Sequence, residues 1–345
     1  MSQTNPEFQI GRHMMSMWVP QALHAAAELG IADLLAKRPL SAEEVASQLG
    51  AHADATARLL RALEVLEVVE TSPEGYALSS LGQFLRSDHA ASRRAWARLM
   101  GGPPVWRAWG KLVECVRTGK AAYARGDERL SETETFDVLF EDPAAAEVFH
   151  RAMADGTRGI APAVVQAIDV VGDEKVVDVG GGHGALLCAF LEAHPKMRGS
   201  VYDLEHARRG ATELFAQRSL EGRAHFVAGN LFESLPPRPD LHLLKSVIHD
   251  WGDERSLAIL ERIHAAMGSE ERLVVIEPPA PEPGVEVSPS MRWIVAFSDR
   301  NMLVNRGGKA RTAPEYRALL ERGGFELEEI RDAGFYACFV CRKRP

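Results

Sequence analysis

Cysteine is scarce: four residues in 345, at Cys115, Cys188, Cys338 and Cys341. So few thiols exclude a disulfide-scaffolded domain and suit a reducing, cytoplasmic setting. Long apolar runs are missing too; none approaches the roughly 20 residues a membrane-spanning helix needs, so no membrane partner is expected. The stretch from Met14 to Leu23 has the apolarity of a signal-peptide core. Glu7 precedes it and a helical pattern continues past it, which argues against secretion. Positive charge is not in excess either. Forty Lys and Arg face 48 Asp and Glu, and a net charge of −8 repels nucleic acid. What remains is 46% hydrophobic and 26% charged residues, the balance of a globular chain. Its length suits about two domains.

The first 90 residues read as short helices. Apolar Leu23, Ala26, Ala27, Leu34 and Leu35 recur at helical spacing. Ser41-Ala-Glu-Glu44 is a capping box that predicts a helix to about Gln48, with Gly50 as its stop. A second helix is expected from Asp54 to Leu66, then a hairpin of Val68–Thr71 and Tyr76–Leu78. Helix, turn, helix and hairpin make a winged helix, a fold that often binds DNA. Charge decides against that use. Arg58, Arg61 and Arg86 stand among seven acidic residues between Ser41 and Ser87, so packing or dimerisation is the expected role.

A helical middle runs from Ala90 to about Ile168 and carries Trp96, Trp106, Trp109, Phe136, Phe140, Phe149 and Met153. Such residues serve a core or wall a pocket for a flat organic molecule. From Lys175 the pattern becomes β-rich runs alternating with helices: Lys175–Val179, Ser200–Leu204, His225–Ala228, Leu241–Val247 and Leu273–Glu277. That alternation means an α/β fold with a doubly wound, Rossmann-like parallel sheet. Glu326–Ile330 and Tyr336–Cys341 are expected as a hairpin on the sheet edge. Expected boundaries are a winged-helix dimerisation domain at 1–90, a helical connector at 91–165 and a catalytic domain at 166–345.

The run Asp178-Val-Gly-Gly-Gly-His-Gly184 carries a buried strand into a glycine-rich turn and a helix start. Glycines there let the backbone approach a ligand, and the helix start offers free amides. Asp203, ending the next strand, is placed to accept from a ribose diol. NAD and S-adenosylmethionine both carry that ribose. Asp178, two residues before Gly180, favours the second, because a carboxylate there helps hold an ammonium-bearing ligand.

With Tyr202-Asp-Leu204, Lys245, His249-Asp-Trp-Gly-Asp-Glu254, Glu277 and Gly307-Gly-Lys-Ala-Arg-Thr312 in the same order, the sequence resembles the S-adenosylmethionine-dependent small-molecule O-methyltransferases. These include the plant caffeic acid type and bacterial natural-product enzymes. The resemblance implies that Asp178, Gly180, Gly182, Asp203, Leu204, Asn230, Leu231 and Lys245 hold S-adenosyl-L-methionine, Asn230 and Leu231 flanking the adenine. It implies an acceptor pocket walled by Trp106, Phe149, Met153, Asp250, Met302 and Asn305, with Asp299 nearby, and a homodimer. Two positions depart from the family pattern. Asn230 stands where Asp is usual, and its side-chain carbonyl is expected to accept from the adenine amine. Ala310 stands where a second carboxylate usually flanks the base, which leaves open a relative that keeps the donor for decarboxylation, hydroxylation or ring formation.

The residues also suggest a mechanism by themselves. His249 follows one strand and Glu277 ends its neighbour, so both belong at the carboxyl edge where such sheets bind ligands. An imidazole of ordinary pKa near 6.5 can take a phenolic proton, and a carboxylate on its other nitrogen fixes the tautomer. His249 is thus the candidate general base and Glu277 its orienting partner, roles the resemblance also assigns. The expected function is metal-independent O-methylation of a hydroxyl on an aromatic or polyketide-like molecule. Cys338-Phe-Val-Cys341 has metal-like spacing, but residues three apart in a strand point to opposite faces.

Overall fold

The computed structural model describes residues 5–122, 140, 142–233, 235 and 239–344; Phe136 lies outside them. The chain divides after Trp106 into two compact units. The 91–165 stretch is therefore split between them rather than forming a block of its own.

The first unit contains α1 (Pro6–Met15), α2 (Trp18–Leu29), α3 (Ile31–Leu35), α4 (Ala42–Leu49), α5 (Ala53–Val65), β1 (Val69–Ser72), β2 (Gly75–Leu78) and α6 (Arg94–Gly101). Ser41 and Glu44 close the expected capping box in both directions, at 3.2 and 2.8 Å. Gly50 stops α4 at a φ of +61°, a conformation glycine adopts without strain. Ile31, Leu35, Leu40, Val45, Leu60, Leu63 and Val68 form the core. Helix α6 lies on α2, where Gln21 donates to the Gly101 carbonyl at 2.9 Å. No residue of α1 is buried, and Phe8, Ile10, Met14 and Trp18 are exposed.

Helix α7 (Pro103–Trp109) spans the point of division, and α8 (Leu112–Thr118) and α9 (Pro143–Ala167) follow. Then come β3 (Lys175–Val179), α10 (Ala185–Ala193), β4 (Arg198–Asp203), α11 (Arg208–Gln217), β5 (Ala224–Ala228), β6 (Leu241–Lys245), α12 (Asp253–Ala266), β7 (Arg272–Glu277), α13 (Pro289–Arg306), α14 (Ala313–Arg322), β8 (Phe325–Ala333) and β9 (Tyr336–Lys343). The sheet order is β5-β4-β3-β6-β7-β9-β8. Its first five strands are parallel, while β9 is antiparallel to both β7 and β8. Apolar layers cover both faces, one built on Leu187, Phe190, Val201 and Leu243, the other on Leu244, Ile259, Val275 and Phe339. Strand order reverses at β3 and β6, which opens a crevice beyond their carboxyl ends.

Two expectations need correction. Strand β6 ends at Lys245 rather than Val247, because Ser246 turns the chain at a φ of +54°. The C-terminal hairpin is not wholly at the edge: β9 inserts beside β7 and only β8 takes the rim. Burial explains this, since β9 carries five consecutive buried residues, Ala337–Cys341, whereas most of β8 is exposed.

Candidate active site

The glycine loop begins where β3 ends. Gly180, Gly182 and Gly184 all take positive φ, at +69°, +56° and +78°. A Cβ on Gly181 would come within 2.5 Å of the Asp178 carboxylate, so the loop wraps closely around that side chain. Asp178 is buried, and its Oδ2 has no hydrogen-bond partner among the described residues. Burial pushes its pKa up to about 7, with Asp203 adding to the rise and Lys245 opposing it. Asp203 accepts from the Gly182 and Leu204 amides, both at 2.7 Å. Burial still holds it at about 6 against those two donors. A buried and a half-buried carboxylate, both reluctant to ionise, make a setting that welcomes a cationic ligand bearing a diol.

The Asn230 side-chain carbonyl accepts the Phe232 amide at 3.0 Å in a local turn, which leaves its second lone pair available. The Asn230 backbone carbonyl accepts from the Tyr202 hydroxyl at 3.0 Å. Leu204 and Leu231 are half-buried at the same rim. Lys245 donates to the Ser246 hydroxyl at 3.1 Å and lies over the Tyr336 ring.

Beyond β6, Val247–Asp250 pack against the end of β7. Glu277 is fully buried there, and its Oε1 accepts from the Val247, Ile248 and His249 amides at 3.1, 2.8 and 3.3 Å. Its Oε2 lies 2.7 Å from His249 Nδ1. Asp250 Oδ1 stands 3.7 Å from His249 Nε2 on the other side of the ring. Burial disfavours the imidazolium, but the Glu277 charge and hydrogen bond, helped by Asp250, outweigh it and raise the His249 pKa above its ordinary value. Lys245 works the other way. The His249 side chain keeps 18% exposure while Glu277 keeps none, so only the histidine can meet a substrate.

Of the proposed acceptor residues, Phe149 and Met153 lie on α9, and Met302 and Asn305 on α13. Trp106 ends the first unit. Asn305 donates to the Asn301 side chain at 2.8 Å, as does Trp109 at 3.0 Å. The structure adds residues that sequence reading passed over. The Arg306 guanidinium lies 5.2 Å from the Phe149 ring centroid and interacts with Asp250. Its signal was a charge four positions after Met302 on the same helix face. Arg311 is buried and donates to the Ile248 and Trp251 carbonyls at 3.1 and 2.9 Å, and to Asp253 at 2.7 Å. It clamps the turn that carries His249. Gly308 must be glycine for the same contact, since a Cβ would meet the His249 carbonyl at 2.1 Å. Beside the glycine loop, His150 and His206 pair at 2.8 Å, and His183 of the loop stacks on His150 at 5.1 Å. No group of three or more His, Cys, Asp or Glu among the described residues is arranged to hold a metal ion.

A doubly wound sheet with this loop and acid at its switch point, and a His–Glu pair across the crevice, has the layout of a nucleoside-cofactor enzyme. Comparison with known proteins identifies its kind. Residues 109–326 match the O-methyltransferase domain model, and residues 12–88 match the O-methyltransferase dimerisation domain model. The chain is 36% identical to phenazine O-methyltransferase of Lysobacter antibioticus over 91% of its own length and 89% of the relative's. It is 35% identical to mitomycin biosynthesis 6-O-methyltransferase of Streptomyces lavendulae, over 93% and 89%. A solved O-methyltransferase from neocarzinostatin biosynthesis, in complex with S-adenosylmethionine and 2-hydroxy-5-methyl naphthoic acid, superposes with a TM-score of 0.76. That match has 31% identity and covers 94% of this chain and 96% of that one. The chain belongs to the S-adenosylmethionine-dependent O-methyltransferase family, with an N-terminal dimerisation domain. No described helix is long and apolar enough to cross a membrane.

Proposed function

We propose that this enzyme methylates a hydroxyl of an aromatic or polyketide-like small molecule in natural-product biosynthesis, with His249 as general base and no catalytic metal. The observation that carries the reading is the 2.7 Å contact between His249 Nδ1 and the Glu277 carboxylate, which is buried too deeply to meet a substrate itself. Glu277 holds the proton on Nδ1, so Nε2 faces the acceptor with its lone pair free. Taking the acceptor's proton creates an imidazolium, which Glu277 stabilises. Ala310 leaves one flank without the family's second carboxylate, and Asp250, 3.7 Å from Nε2, supplies negative charge beside the developing cation. The bound cofactor contributes an electrophilic methyl group. Asp178 and Lys245 balance charge near its amino-acid end, Gly180 and Gly182 admit its close approach, and Asp203 with Leu204 receives the ribose. Asn230 and Leu231 border the adenine, the Asn230 side-chain carbonyl accepting from the adenine amine with its second lone pair. Phe149, Met153, Asp250, Met302 and Asn305 wall the acceptor pocket.

Sign and direction test the pair. Glu277→Gln removes the charge that raises His249, so the acid limb of the pH–kcat/KM profile should move down by about one unit or more while the plateau falls. An unmoved limb would dismiss Glu277 as the partner.

We further infer a homodimer in which the winged-helix part serves association. Supporting this are the dimerisation-domain match and two exposed apolar sets: Phe8, Ile10, Met14 and Trp18 at the N-terminus, and Trp293, Ile294 and Phe297 on α13. Because no α1 residue is buried, deleting residues 1–16 should leave the fold intact by circular dichroism yet yield a monomer by light scattering. A persistent dimer would place the interface elsewhere.

A further inference from the structure

We propose that Tyr316 is a positioning residue for the base, its hydroxyl joining Glu277 and Arg311 into one buried chain that ends at His249. This rests on His249 acting as the base. Tyr316 lies one turn into α14, just after Arg311, and the Thr312–Glu315 capping box sets its position, with both backbone contacts formed at 2.7 and 3.4 Å. The side chain is fully buried, with Phe339 packed at 5.0 Å between ring centroids. In such a pocket a phenylalanine would fit as well, and an idle buried hydroxyl costs stability.

The surroundings show what it faces. Two buried oxygens at this spot lack a well-aligned hydrogen bond among the described residues: the Tyr316 hydroxyl and Glu277 Oε2, the atom that reaches His249 Nδ1. Burial pushes the Tyr316 pKa well up; the Glu277 charge adds to that, and Arg311 opposes it. The hydroxyl therefore remains protonated and can only donate toward the carboxylate. Arg311 meanwhile anchors the Ile248 and Trp251 carbonyls on either side of the base. Carboxylate and turn are thus held by one cluster, and His249 is fixed from both its ring and its backbone. The charged groups facing His249 itself are Glu277, Asp250 and Lys245; those facing Tyr316 are Glu277 and Arg311.

Removing the donor concentrates the Glu277 charge on the imidazole and frees the carboxylate to shift. In Tyr316→Phe the acid limb of the pH–kcat/KM profile should move up by about half to one unit. At pH 7 kcat should fall about 3–10-fold and partly recover at pH 9. Cofactor affinity and melting temperature should stay near wild type, which a packing defect would not allow. Tyr316 acts through Glu277, so adding Tyr316→Phe to Glu277→Gln should change nothing further. A Tyr316→Phe profile that superposes on wild type overturns the proposal, as does an equal loss in both backgrounds. Should His249→Ala retain the wild-type profile, the base assignment fails first and Tyr316 falls with it; that control separates the two failures.

Discussion

His249→Ala should lower kcat by about 10²–10⁴-fold, the usual cost of losing a positioned general base. The methyl donor of this family is already activated, so the protein's remaining task is to align the acceptor and take its proton. Among the described residues, His249 at the crevice keeps partial exposure while its Nδ1 is committed to a fully buried carboxylate. Asp250 is the nearest alternative acceptor, but it interacts with the Arg306 charge and sits beside the histidine, not in its place. Calorimetric cofactor affinity should be unchanged, because His249 makes no contact in the glycine loop. Raising the pH should restore part of the rate as phenolic acceptors ionise unaided. A variant with near-normal turnover at pH 7 would remove His249 from the mechanism.

Asp203→Asn should weaken cofactor binding about 10–100-fold, the scale of lost hydrogen bonds to a charged group. Asp203 accepts from two amides with its two oxygens, so it both shapes the loop and presents negative charge. An asparagine would turn an NH₂ toward one of those amides, and the loop would open. Wild-type affinity should itself depend on pH. Asp178 at about 7 and Asp203 at about 6 must be ionised to serve a cation, so affinity should weaken as pH falls through that range and level off above 7. In Asp203→Asn the lower part of this dependence should vanish, leaving only the step near 7. Titration calorimetry between pH 5 and 8.5 reads both effects; an affinity flat with pH would mean that these carboxylates do not face the ligand.

Much of this was legible in the residues because the causes are local. Capping boxes at Ser41 and Thr312 fix helix starts from four residues each. The glycine loop announces itself by glycines that only a positive φ requires. His249 and Glu277 were found because each sits at a strand end, and neighbouring strand ends in a parallel sheet converge. What escaped depends on contacts far apart in the chain. Arg311 reads as a stray surface charge until it meets Ile248, 63 residues earlier. Tyr316 reads as a core aromatic until β7 brings Glu277 to its hydroxyl. Strand order at the edge was similarly hidden: the hairpin was plain, but which of its strands would insert depended on the burial of Ala337–Cys341.

One measurement bears most directly on the whole. Purified enzyme with S-adenosylmethionine would be offered phenols, catechols and hydroxyquinones, with products and spent cofactor followed by mass spectrometry. O-methylation by His249 predicts a product heavier by one methylene, formed mole for mole with demethylated cofactor, and lost in His249→Ala. An acceptor transformed without gaining that mass, with the cofactor left intact, would contradict it.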